Sequence, residues 1–144
     1  MQSQSFQLYR GILLFNSSIL LVLGLWTVAI PEQYISSIEA YSAFNWTEFV
    51  FNEPMLGHYI LAVFRVLGGF YTCIAIAAGL LTYFALKPDD PGYKSWVWWL
   101  VLPLHILPYS ILLAFDFYHG TLGAIEMAKM IIWLLSVMAW WRLR

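Results

Sequence analysis

Seven side chains in the apolar parts of this chain have the chemistry to hold a polar ligand or move a proton: His58, Arg65, His105, Asp116, His119, Glu126 and Lys129. Their spacing groups them. His58 and Arg65 stand seven apart and share one helical face, which Gly69 and Thr72 continue. Asp116 and His119 are i,i+3 neighbours, as are Glu126 and Lys129. Two acids and two bases, Asp116 and Glu126 with Arg65 and Lys129, thus gather toward one end of their helices and balance. Three readings stay open. The set is a neutralised ion-pair network that fixes helix register, or a site at which a lipophilic ligand (quinone, sterol or lipid) exchanges a proton with a histidine or carboxylate, or a surface facing a partner subunit.

A second polar layer comes from Asn16, Thr72, His105 and Ser136, one from each apolar segment, which predicts hydrogen bonds between helices. His105 lies between Pro103 and Pro108. Each proline lacks an N–H and frees a carbonyl one turn earlier, which predicts a kink there. The histidine then either floors a cavity or is buried and hydrogen-bonded. His58, Asp116, His119 and Glu126 would make a hard oxygen and nitrogen metal set. No Glu-x-x-His pair of the di-iron kind occurs, His58 and His105 are too far apart in depth to share a haem, and no metal site is assigned. The single cysteine, Cys73, excludes an intrachain disulfide and any cysteine-built zinc or iron–sulfur centre. Nucleophile elbow, P-loop and glycine-rich nucleotide fingerprint are absent, so the residues name no cofactor.

The elements that must position these groups follow from composition. Of 144 residues, 62% are hydrophobic, 19% aromatic and only 10% charged. A soluble domain carries about 25% charged residues, so the chain reads as an all-α integral membrane protein in a single domain, 1–144. Net charge is −1, which leaves no basic surface for nucleic acid. Four segments, 8–30, 57–86, 96–118 and 121–141, approach or exceed the roughly 20 apolar residues needed to span hydrocarbon. Pro31 closes the first, and Lys87-Pro88-Asp89-Asp90-Pro91-Gly92 stops the second. His119-Gly120 joins the last two so closely that they must be antiparallel neighbours. The expectation is a four-helix bundle. Gly68, Gly69, Ala75, Ala77, Ala78 and Gly79 would let its second helix approach a neighbour closely.

Arg10, Lys87, Lys94, Arg142 and Arg144 fall on one side of that bundle, while the loop between helices one and two holds Glu32, Glu39, Glu48 and Glu53 and no cation. Both termini are therefore expected in the cytoplasm, with the long loop on the other side. Trp96, Trp98, Trp99, Trp140 and Trp141 would form a cytoplasmic interfacial belt. The aromatic loop suits short amphipathic segments on the membrane face. Its Asn45-Trp46-Thr47 is a glycosylation sequon in a eukaryote, whereas Asn16-Ser17-Ser18 would be buried. Thr27-Val28-Ala29 is a poor leader cleavage site after so long an apolar run.

The pattern resembles the DoxX-like group of small four-helix membrane proteins over nearly the whole chain. At residue level the resemblance rests on Arg65-Val66-Leu67-Gly68-Gly69, similar to the Arg-x-x-Gly-Gly step in the second helix of that group. Those proteins usually place a glutamate just before the arginine. Here Ala62, Val63 and Phe64 precede it, leaving Asp116 or Glu126 to supply an acid from another helix. The resemblance implies a four-helix bundle associated with a membrane redox complex. The residues alone point to an accessory or assembly subunit with a protein partner or a second copy, alternatively to a lipophilic-ligand protein or enzyme. Membrane lipid surrounds it in either case.

Overall fold

The computed structural model describes residues 2–32, 35, 39, 45–87, 92–118 and 123–143. Among them every regular element is helical, and three helical stretches are long and apolar enough to cross a membrane: Gln4–Ala29, Pro54–Ala85 and Lys94–Ala114.

Helix α1 (Gln2–Ala29) stops where Pro31 disfavours helical geometry in the residue before it. Helix α2 (Trp46–Asn52) lies in the long loop. Asn45 begins it by accepting the Glu48 amide at 3.0 Å, and the Glu48 carboxylate stands in the first turn, where the helix dipole favours an anion. Glu39 accepts the Trp46 amide. Glu53 both ends α2 and precedes α3 (Pro54–Ala85), whose first residue is a proline with no amide to leave unpaired.

The third apolar stretch is built from α4 (Tyr93–Trp96), a ten-residue π-helix (Val97–Ile106) and α5 (Leu107–Tyr118). Where the prolines predict a kink, the backbone takes a wider winding. Pro103 sits inside it without an amide, and the Leu107 N–H bonds Leu102 O, five residues back. Helix α6 (Ala124–Leu143) has 20 residues, with Glu126 in its first turn and Arg142 in its last. That order of charge suits the dipole.

Close packing of α1 on α3 organises the rest. A Cβ on Gly24 would stand 2.6 Å from the Thr72 backbone nitrogen and 2.9 Å from Gly68 O. One on Gly68 would stand 2.8 Å from both Gly24 O and Val28 N. Only hydrogen fits at either position, so the two backbones touch. Arg10 meets Tyr83, Ser17 faces Gly79, Gly24 faces Thr72 and Thr27 faces Gly68, which makes the helices antiparallel. Residues 54–64 therefore run on past the end of α1, by about 15 Å at 1.5 Å per residue. Val50 of α2 closes against them, 2.8 Å from where a Gly57 Cβ would lie.

Helix α6 runs antiparallel to the third stretch, since Ser110 meets Trp133 and Trp98 meets Trp140. Two apolar clusters fill the interior. Phe6, Leu13, Leu86, Val97, Val101 and Leu143 share one, and Leu20, Ala75, Tyr109 and Leu112 the other. In lipid such clusters hold by van der Waals fit rather than by escape from water, which is why the glycine contacts matter.

Candidate functional site

Between the two clusters lies a polar junction. Asn16 of α1 is fully buried. Its Nδ2 donates to Ser136 Oγ at 2.5 Å and to Ile132 O at 3.3 Å, and Ser136 Oγ in turn donates to Ile132 O at 3.1 Å. Tyr109, equally buried, donates its hydroxyl to Asn16 O at 3.1 Å. One turn before Tyr109, His105 shares a 3.0 Å hydrogen bond between its Nε2 and Thr82 Oγ1, and both side chains are buried. Four helical stretches thus meet through uncharged groups. One atom is left over: Asn16 Oδ1 is buried with no donor.

Asn16 and Ser136 meet as sequence spacing predicts and His105 is buried one turn from Tyr109, but Thr72 joins none of them. Its hydroxyl donates to Gly68 O of its own helix at 2.9 Å, and Thr82 takes the histidine instead. Depth counted from residue 57 misses because α3 starts earlier and overshoots α1. Tyr109 and Thr82 carry a signal of their own in the sequence. Tyr109 follows His105 by one helical turn, and Gly68, Ala75 and Thr82 stand seven apart on one buried face.

The outer titratable set has a different fate. His58 is exposed, with Nδ1 2.7 Å from Pro54 O of its own helix. Arg65 is exposed and has no hydrogen-bond or ion-pair partner among the described residues. Glu126 Oε2 accepts the Gly123 amide at 2.8 Å, closing the first turn of α6, and Lys129 is half-buried on the next turn. His119 and the side chain of Asp116 lie outside the described residues. His105 is not brought to this set. Its partner Thr82 stands about 25 Å along α3 from Arg65 and about 36 Å from His58, at 1.5 Å per residue.

At the opposite end Arg10 donates from its guanidinium to Tyr83 O at 2.5 Å and stacks 5.1 Å from the Tyr83 ring centre. A cation on the last carbonyls of a helix is favoured by both the dipole and the ring face. Trp98 and Trp140 meet edge to face nearby, 5.0 Å between centres.

Chemically, the junction can pin helices together. His105 and Tyr109 are its only proton-bearing titratable groups, and both are closed off from the surface. No cluster of three metal-ligating His, Cys, Asp or Glu side chains occurs among the described residues. No protein-family model, curated protein or solved structure matches the chain.

Proposed function

We propose that this chain is a small accessory or assembly subunit of a larger membrane complex. The observation that carries the reading is α3. Only 11% of its most apolar window is buried by the rest of the chain, although the helix has 32 residues. A helix left so bare contributes surface, while the polar groups of the interior are spent on one another. The Arg65-Val66-Leu67-Gly68-Gly69 step, through its DoxX-like resemblance, points to redox complexes as the class of partner.

In this reading α6 is the fourth span of a four-helix bundle, both termini are cytoplasmic, and the chain is multi-pass. The hydrocarbon then extends from the level of Arg10 and Tyr83 to that of Ile30 and Arg65. Residues 65–85 of α3 cover about 30 Å, which matches the hydrocarbon thickness of a typical bilayer. Arg10 and Arg65 stand at opposite rims; Tyr83 holds the Arg10 guanidinium, while that of Arg65 reaches headgroups with its stem in the apolar layer. His58, Glu126 and Lys129 belong to the outer half.

A second reading, binding of a quinone, sterol or lipid, is favoured by Asn16 Oδ1, an acceptor that a ligand hydroxyl would satisfy. Native mass spectrometry of the protein released from its own membrane in mild detergent separates the two. A different protein retained at fixed stoichiometry is the expected result. Release without one, carrying a small-molecule adduct that Asn16→Ala abolishes, would overturn the accessory reading in favour of the ligand.

A further inference from the structure

Charge is divided between the two ends of the molecule. One end collects Arg10, Lys87, Lys94, Arg142 and Arg144 against two acids, Asp89 and Asp90, whereas the loop at the other end holds four glutamates and no cation. The fold draws the cations of the first end together. Leu86, Val97 and Leu143 are buried in one apolar cluster. Lys87 follows Leu86, Arg142 precedes Leu143, and Lys94 stands one turn before Val97. Arg10 is engaged by Tyr83. Lys87, Lys94 and Arg142 are exposed, and their side chains have no ion-pair or hydrogen-bond partner among the described residues.

We propose that these three cations form a site for the headgroup of an anionic phospholipid. The proposal rests on the reading of the long helices as membrane spans and adds which lipid meets one end of them. Depth selects a lipid over an acidic protein. Lys87 lies two residues past the last helical residue of α3, Arg142 in the last turn of α6, and Lys94 at the start of the third apolar stretch. Each is rooted within about 5 Å, one turn's rise, of the hydrocarbon edge and so inside the headgroup layer, not on a loop reaching into water. The flanks suit a lipid as well. Trp99 is 78% exposed, Phe84 61% and Trp141 60%, so acyl chains descending from the headgroup meet apolar side chains and interfacial indoles. Sign selects an anionic lipid over a zwitterionic one. With no acid paired to these cations, a headgroup that brings its own ammonium leaves their charge uncompensated, and one of net negative charge does not.

The indoles of this end, Trp96, Trp98, Trp99, Trp140 and Trp141, report the site. Full-length protein is reconstituted into phosphatidylcholine vesicles in which a small fixed share of lipid carries brominated chains, either as phosphatidylglycerol or as phosphatidylcholine. Bromine quenches tryptophan emission on contact. At low salt, brominated phosphatidylglycerol is expected to quench several-fold more strongly than brominated phosphatidylcholine, and the excess should shrink as added salt screens the attraction. Lys87→Gln, Lys94→Gln and Arg142→Gln should each reduce the excess and together abolish it, while Arg65→Gln at the other rim keeps it. Equal quenching by the two lipids overturns the proposal, as does an excess that ignores salt or falls as far in Arg65→Gln. Equal quenching together with an acidic protein that is retained by the unaltered chain and lost from the triple variant would assign the cations to that protein, overturning the lipid site and leaving the accessory reading intact. Absence of quenching by either lipid overturns the membrane reading and the site with it.

Discussion

The two long faces of α3 share one sequence and follow opposite rules. Toward α1 the helix presents Gly68, Thr72, Ala75 and Gly79, small enough for backbones to meet, with Gly68 O and Thr72 N each under 3 Å from the place a Gly24 Cβ would take. Away from α1 it presents Tyr59, Phe70, Leu80 and Phe84, which touch little of their own chain. One face is specified atom by atom, whereas the other is specified only as apolar. The inner face should therefore be intolerant of single atoms. The outer should tolerate changes of size that keep the molecule folded and alter only what it assembles with.

The sharpest way to break that contrast is Gly24→Val. Its side chain would meet backbone atoms of Thr72 and Gly68, which cannot rotate away, so α1 and α3 must separate. The expected loss is about 3 kcal/mol or more, at the upper end for overpacking. Thermal unfolding in detergent, followed by far-ultraviolet circular dichroism, reads it directly. An unchanged midpoint would mean that the helices do not approach as closely as described.

Next in size is Asn16→Ala, which removes two donated hydrogen bonds and leaves a small void beside Ser136. About 1–2 kcal/mol is expected, since interhelical hydrogen bonds in membranes average about 0.6 and reach about 1.7 kcal/mol. Ser18→Ala is the control. Its hydroxyl only returns to Leu14 O on an exposed face of the same helix, and its loss should be within noise. Equal effects would dissolve the distinction between junction and surface.

A double-mutant cycle over His105→Ala and Thr82→Ala comes third. Coupling of about 1 kcal/mol is expected from their 3.0 Å contact, and additivity would show that the two are buried side by side without bonding. This pair also marks how far the sequence was legible. Ends of segments could be read from Pro31 and from Lys87, because prolines and cations act locally. The disturbance at Pro103 was legible as well, though not the π-helical winding that absorbs the missing amide. Depth was harder. A count along α3 chose Thr72 for the polar layer, and nothing local in the sequence says that the helix outruns α1 by several turns. Gly24 escaped notice for a related reason, since one glycine in an apolar run acquires meaning only when Gly68 is laid against it. The outer set is legible as chemistry but not as a site: His58 and Glu126 spend themselves on backbone groups of their own neighbourhood.

The smallest expected effect makes the sharpest comparison, because it concerns the residue next to Gly68. A Cβ on Gly69 would meet nothing within 4 Å. Alanine there adds no collision and removes the backbone freedom that glycine loses on forming a helix. Gly69→Ala should thus leave stability unchanged or raise it by up to about 1 kcal/mol. Gly68→Ala would drive a methyl group against Gly24 O, Thr27 Cβ and Val28 N, all at 2.8 Å, and should destabilise. Opposite signs from the same substitution at adjacent positions cannot come from helix propensity, which is shared. They can come only from which face each residue occupies. If Gly69→Ala instead destabilised as much as Gly68→Ala, something outside this chain would have to lie against Gly69. Repeating the measurement on the complex and on the isolated chain would then show whether that contact belongs to a partner.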